Sequence, residues 1–242
     1  MIRIRKAGAA DRCPAAMDPV DLPAASYNVT VKKTPPARPA AASASPWSPS
    51  RERTRQLKRE AVILAAARAF REQGYHNTSL EDVAAALHVT KPTIYYYVAN
   101  KEEILFECFR TGLDEIKSVF GTLDVSRDSA REKLLELIRH YGAAIAGEFG
   151  WCMVHAEDQD LSPQMSGRIR TLKSEIDQRI RGLIKDGIAD GSVGDCDPKM
   201  TAFAIAGALN WISHWYHRDA SLNPAEVGQA FSSVFERTLR PR

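Results

Sequence analysis

The chain has 242 residues, enough for one or two domains with a proper core, and its 44% hydrophobic and 26% charged content is that of a water-facing globular protein. The net charge of +3 hides an asymmetry: residues 1–50 hold seven Lys/Arg against three Asp, residues 51–100 eight against five acids, and the remainder 18 against 22. That gradient places positive charge where an N-terminal nucleic-acid contact would need it, although it is too small to identify one. No apolar run approaches the length of a membrane span, and Arg3, Arg5 and Lys6 are not followed by the apolar stretch of a secretory signal, so the expected compartment is the cytoplasm. Cys13, Cys108, Cys152 and Cys196 are far apart, which indicates neither a zinc site nor a disulfide framework. Neither a metal nor a cofactor is expected.

Residues 1–50 are dominated by Ala, Pro and Ser and read as a disordered tail, either a basic arm or a loose extension with Met17 as an alternative start. Residues 51–73 read as a long helix with Ile63, Ala66, Ala67 and Phe70 on one face and a basic beginning, RERTRQLKRE; Gly74 ends it. The stretch 78–101, TSLEDVAAALHVTKPTIYYYVANK, reads as two short helices joined by a tight turn. Leu80, Val83, Ala84 and Leu87 make the first apolar face, and its cap is either Thr78 with Glu81 or Ser79 with Asp82. His88 stands where the chain must turn in a left-handed conformation, and Val89 is expected to point inward. Thr90 can cap the second helix, Pro92 fits its first turn, and Ile94 and Val98 anchor it. Lys91, Thr93, Tyr95, Tyr96 and Tyr97 are left for other faces, the pattern of a helix-turn-helix that presents a recognition helix to the major groove.

Residues 101–120 read as a connecting helix with Ile104, Leu105, Phe109, Leu113 and Ile116 inward, followed by a break over 121–126. A helix is expected from 127 to about 147, carrying Leu134, Leu137, Ile138 and Tyr141, then a shorter segment over 149–161. Residues 164–189 form a long helix with a seam at Ile169, Leu172, Ile176, Ile180, Ile184 and Ile188. Asp197-Pro198 starts another that runs to Tyr216 and is apolar almost all round, which predicts burial on several sides. Residues 224–239 supply the last helix. The chain is therefore expected to be all-α. It contains no glycine-rich phosphate loop, no G-x-S-x-G and no H-E-x-x-H, and His214 and His217, beside Trp215 and Tyr216, read as packed or rim histidines.

The strings GYHNTSLEDVAAAL and VTKPTIYYYVANKEEIL resemble the DNA-binding domain of the tetracycline-repressor (TetR) family over roughly residues 60–106. Gly74-Tyr75, Thr78-Ser79, Val83-Ala84, Lys91-Pro92-Thr93, Tyr95 and Lys101 carry the likeness; His88 replaces a usual Gly and Val98 a frequent Phe. The resemblance implies an N-terminal three-helix helix-turn-helix domain over 51–106 and a helical effector-binding and dimerisation domain over 107–242. It implies a homodimer on a palindromic double-stranded DNA operator and a repressor released when an effector swings the connecting helix; the lack of a catalytic constellation in the sequence argues against an enzyme. Lys91 and Thr93 would read base edges; Tyr95, Tyr96 and Lys101 would touch phosphates; Thr78, Thr90 and Pro92 complete the candidate DNA-binding set. The small and aromatic residues of 198–216, with the last helix, would form the two-fold interface.

Candidate effector residues are Phe109, Leu113, Tyr141, Trp151, Met153, Met165 and Trp211. The stretch ALNWISHWYHRDASLNPAEV resembles a branch of the family whose members sense acyl-coenzyme A esters, and Arg168 and Arg170, near Lys173, could meet the polyanionic head of such a ligand. A lipophilic drug is the other effector considered. The competing reading of the whole chain is a helical small-molecule carrier or an enzyme with an incidental helix-turn-helix.

Overall fold

The computed structural model describes residues 51–156, 158–217 and 221–241. The tail expected over 1–50, with Cys13, lies outside them. Among the described residues all regular structure is helical: α1 (Arg51–Gln73), α2 (Leu80–Ala86), α3 (Lys91–Tyr95), α4 (Lys101–Lys117), α5 (Phe120–Val125), α6 (Ala130–Ala146), α7 (Gly150–His155), a 3-10 turn (Asp158–Asp160), α8 (Pro163–Ala189), α9 (Pro198–Asn210), α10 (Ile212–Trp215) and α11 (Pro224–Thr238). The all-α class is the one expected. No described helix is long and apolar enough to cross a membrane.

Short side chains mark most starts. Ser129 and Glu132 close a reciprocal capping box on α6, and Asn223 with Glu226 does the same on α11, where Pro224 occupies the first turn. Asp197 accepts from the backbone N–H groups of Lys199 and Met200, both at 2.8 Å, at the head of α9. Each cap satisfies helix-end donors that would otherwise need water.

One apolar core runs from α1 to α11. The inward residues expected on α4, namely Ile104, Leu105, Phe109, Leu113 and Ile116, are all buried. Helix α4 is continuous across residue 106, so one helix crosses the boundary expected between the two domains. Helices α6 and α11 approach very closely. A Cβ on Gly228 would stand 2.2 Å from the Arg139 carbonyl oxygen, and one on Gly142 would stand 3.0 Å from Gly228 Cα. Ser232 Oγ donates to the Leu135 carbonyl at 3.0 Å across the same seam.

Two expected features are corrected. The break over 121–126 is the short helix α5, with Leu123 buried against the core. Gly121 lies in open space outside the left-handed region, so it interrupts nothing. The interruption falls earlier, where Ser118 Oγ donates to the Glu115 carbonyl at 2.7 Å and ends α4 at Lys117. The helix expected from 198 to 216 is divided at Trp211, where Ser213 Oγ donates to the Asn210 carbonyl at 2.8 Å. It is also buried on one side only. Ala202, Ile205, Leu209 and Ile212 face the core, whereas Met200 is 62% and Trp211 60% exposed.

Candidate nucleic-acid interface and effector cavity

The helix-turn-helix is built from backbone geometry outward. Gly74, at φ +84°, lets the chain leave α1, and its N–H donates to the Phe70 carbonyl at 2.9 Å. Thr78 is buried, and its hydroxyl lies 2.9 Å from the Gly74 carbonyl and 3.2 Å from that of Ala69. Ser79 is the N-cap of α2: Asp82 N–H donates to its Oγ at 3.2 Å, and its own N–H donates to Asp82 at 2.7 Å. The Ser79 hydroxyl also donates to the Asp82 carboxylate at 2.7 Å, and this bond, with the one from the Ser79 N–H, holds that carboxyl below its usual range. His88 takes the left-handed conformation expected of it, with φ 54°. Its N–H donates to Ala85 and that of Val89 to Ala84, both at 3.0 Å, the double closure of a Schellman turn.

Helix α3 then leaves at a fixed angle, pinned by buried Ile94 and Val98. Its other side is open. Tyr95 is 49% and Tyr96 66% exposed, and Lys91 and Thr93 stand in its first turn. Lys91 is ion-paired with Glu81 of α2, which lowers the Glu81 pKa and raises that of Lys91. Arg55, from the basic start of α1, lies over the Tyr96 ring at 5.6 Å. Lys101 lies over the Tyr75 ring at 4.3 Å and donates to the His76 carbonyl at 3.3 Å; burial lowers its pKa. Burial also pushes Tyr75 up to about 12, with Asp160 and Glu102 adding to the shift.

Three local expectations change. Thr78 is turned into the core, so its side chain leaves the contact set. Val89 is 39% exposed: its N–H is committed to the turn, and the left-handed His88 swings its side chain outward. Thr90 is the N-cap of α3 but caps nothing with its side chain; its Oγ1 lies 2.9 Å from Thr93 Oγ1, so the two hydroxyls form one exposed polar pair beside Pro92.

A cavity of about 420 Å³ lies among α4, α6, α7, α8 and α9. Leu113, Ile116, Ile145, Met153, Ile176 and Ile180 give it apolar walls. Its polar lining includes Tyr141, Asn210, Lys173 and Asp177. Tyr141 donates its hydroxyl to Asn210 Oδ1 at 3.1 Å, and burial pushes its pKa up to about 12. Phe203, half-exposed, lines the same space, with Arg181 over its ring at 5.2 Å and Lys199 at 5.8 Å. Arg181 is also paired with Asp177 at 2.8 Å.

Of the expected effector residues, Leu113, Tyr141 and Met153 meet at this cavity. Phe109 is fully buried core with Lys173 over its ring, and Met165 packs against the core. Trp151 lines a different chamber, and Trp211 is largely exposed because the helix is interrupted there. Arg168 lies over Phe106 in a separate shallow groove, and exposed Arg170 is not among the cavity-lining residues. The reading from sequence missed Asn210, Phe203, Asp177 and Ile180. Their signal was present as spacing: Phe203, Ala206 and Asn210 share one face of α9, and Lys173, Ile176, Asp177 and Ile180 one face of α8. Among the described residues no cluster of three or more His, Cys, Asp or Glu could hold a metal, and Cys108, Cys152 and Cys196 are free.

A short helix clamped by a left-handed turn, with an aromatic and cationic outer face, joined by one helix to a helical domain with a cavity, defines a helix-turn-helix regulator. The chain belongs to the TetR family of DNA-binding transcriptional regulators: residues 62–108 match the model for bacterial regulatory proteins of the tetR family, and residues 127–239 match a tetracyclin repressor-like C-terminal domain. It is not an enzyme. It is 28% identical to the HTH-type transcriptional regulator YhgD of Bacillus subtilis, over 61% of this chain and 78% of that one. It is 24% identical to the fatty acid metabolism regulator protein of Bacillus subtilis, over 65% of this chain and 83% of that one. Among solved structures it resembles AibR, determined in complex with isovaleryl coenzyme A and operator DNA, with a TM-score of 0.65 at 23% identity over 76% of this chain and 98% of that one.

Proposed function

We propose that the chain is a homodimeric repressor that grips a palindromic operator through the exposed face of α3 and releases it when an acyl-coenzyme A ester enters the cavity beside α4. In this reading residues 51–106 carry the DNA contacts and residues 107–242 the effector and the dimer. Lys91 and Thr93 meet base edges. Tyr95, Tyr96 and Lys101 meet phosphates, joined by Arg55, which stacks on Tyr96.

One observation carries the effector assignment. The cavity is apolar inside, Lys173 is among its lining residues, and Arg181 and Lys199 lie over the ring of Phe203, which also lines it. An acyl chain suits the interior, and about 420 Å³ is too small for the coenzyme as well. The phosphates would therefore stay outside, on these cations. They are assigned to Lys173, which lines the cavity, and to Arg181 and Lys199, which contact its lining residue Phe203, in place of Arg168 and Arg170. AibR, bound to isovaleryl coenzyme A, and the fatty acid regulator are relatives whose ligand or role agrees. Entry of a ligand against Leu113 and Ile116 would push on α4, which leads directly to the reading head.

The dimer reading rests on Met200, Ala204, Gly207 and Trp211. They recur along one exposed stripe of α9 and α10, with exposed Val234 of α11 as another apolar contact residue. Two symmetric half-sites need two reading heads.

The test titrates acyl-coenzyme A esters of graded chain length, the free acids and lipophilic cations into the protein–operator complex. The esters should release DNA, and the double variant Lys173→Glu/Arg181→Glu should need at least roughly tenfold more ester, the effect of losing one to two charge-assisted contacts. Release by acids or lipophilic cations alone would end the coenzyme A reading and leave the repressor reading standing.

A further inference from the structure

Ile145 lines the effector cavity and also a second chamber of about 280 Å³. That chamber is walled by Arg71 of α1, His155 of α7, Ser213 and His214 of α10, and His217, with Trp151 behind. Nothing in the function proposed above uses it.

Its lining is rich in groups that can carry positive charge, one guanidinium and three imidazoles. The half-buried Arg71 guanidinium donates to the main-chain carbonyls of Gly147 and Glu148, and no carboxylate is among its bonded partners in the described residues. The neighbouring Glu148 carboxylate is engaged by Arg68 at 2.8 Å. A part-buried cation without a counter-ion is a costly arrangement unless something fills it. The rings of His155 and His214 lie 4.5 Å apart. Each stacks on an indole: His155 on Trp151 at 5.3 Å and 15°, His214 on Trp211 at 4.3 Å and 18°. Ser213 Oγ ties them together, 3.2 Å from His155 Nε2 and 3.4 Å from His214 Nδ1. Burial, and then the neighbouring His214, lower the His155 pKa. The other titratable groups facing the cluster are Cys152 of α7, His217 and Tyr216, with Arg68 of α1 behind Arg71. Among these described groups the cationic forms outweigh the anionic ones at neutral and lower pH.

We propose that this chamber is a phosphate site, filled by a phosphate group, free or borne by a larger ligand, that bridges Arg71 of α1 to the His155–Ser213–His214 cluster of α7 and α10. A dianion balances Arg71 and an imidazolium together, and its several oxygens can accept from more donors than a carboxylate can. The aromatic faces under the imidazoles favour their cationic forms once the anion is present. Because Arg71 belongs to the helix that opens the DNA-binding end, occupancy would fasten that end to the effector half. The proposal is independent of the acyl-coenzyme A reading.

The experiment adds inorganic phosphate to the full chain at constant ionic strength and follows tryptophan fluorescence, which Trp151 and Trp211 should report. Coenzyme A and 3′-dephospho-coenzyme A form parallel arms. Sulfate, a dianion throughout, is titrated at about pH 6 and about pH 8. The site predicts saturable binding that Arg71→Gln weakens at least roughly tenfold, the effect of losing one charge-assisted contact. It predicts sulfate binding that tightens toward the lower pH, with the gain lost in His155→Gln/His214→Gln. Ser213→Ala is a milder variant, with folding followed by circular dichroism. Binding of inorganic phosphate identifies the free ion. Binding of coenzyme A alone, lost on removing its 3′-phosphate and in Arg71→Gln, identifies a phosphate on a larger ligand. No saturable binding by either, binding unchanged in Arg71→Gln, or sulfate affinity equal at the two pH values would overturn the proposal.

Discussion

Lys91, in the first turn of α3, is ion-paired with Glu81 of α2, so the cation proposed to reach base edges already has a carboxylate beside it. Both groups are exposed, and the pair is a weak contributor to the fold. Its weight lies in DNA binding, where Glu81 competes with the operator for Lys91. Glu81→Gln should tighten binding to all sequences and steepen the salt dependence by about one unit. Lys91→Ala should weaken operator binding roughly ten- to hundredfold and relax preference at one base position. Salt titrations on operator and scrambled duplexes check both; an unchanged slope in Glu81→Gln would remove the competition.

The turn between α2 and α3 makes its own prediction. His88 is the one described non-glycine residue at positive φ. Glycine accepts that geometry without the Cβ penalty, so His88→Gly should stabilise by about 1 kcal/mol, less glycine's greater unfolded-state freedom. His88→Val, branched at Cβ, should do the opposite. Thermal melting distinguishes the two signs.

Much of this unit was legible because its determinants are local. Gly74, Pro92 and the Ile94/Val98 pair act within a few residues and are where the spacing placed them, and the structure selects Ser79–Asp82 from the two capping boxes that the spacing allowed. The same holds for Pro198 and Pro224. What was not legible depends on which nearby carbonyl a hydroxyl takes and on how the helices pack. Thr78 looks like a surface cap until the carbonyls of Ala69 and Gly74 take its hydroxyl. Trp211 looks like a core residue until Ser213 captures the Asn210 carbonyl and α9 ends. The cavity combines faces of several helices, so the spacing that puts Phe203 and Asn210 on one face of α9 points to no cavity until those helices pack together.

Close packing of α6 on α11 predicts a sharp contrast between glycines. Gly228→Ala would drive a Cβ into the Arg139 carbonyl and should cost about 1–3 kcal/mol. Gly121→Ala, within a helix and with open space around it, should be neutral or stabilise by about 0.5–1 kcal/mol. Gly207 also has open space around it in the single chain, and the dimer reading predicts that Gly207→Leu yields monomers by light scattering while helicity is retained. A Gly207→Leu protein that remained dimeric would move the interface elsewhere.

Stability should depend on pH in two windows. The His155 pKa is lowered below its ordinary 6.5, so its contribution is complete above that value and is lost as pH falls through the imidazole range. His155→Gln should flatten that part of the curve. Asp82, Glu132 and Asp190, whose pKa values are lowered chiefly by hydrogen bonds from Ser79, Ser129 and Ser192, hold their contributions until pH falls through the carboxylate range. Melting temperature against pH should therefore decline in two steps, and Ser79→Ala should diminish the lower one.

The central claim is that α3 reads a two-fold operator. The most direct measurement selects duplexes from a random library with the full chain, then determines stoichiometry and anisotropy on the enriched sequence. The account predicts an inverted repeat bound by two chains, with binding lost in a chain carrying both Lys91→Ala and Tyr95→Ala. No enriched sequence, or an enriched site bound equally well by that double variant, would contradict it.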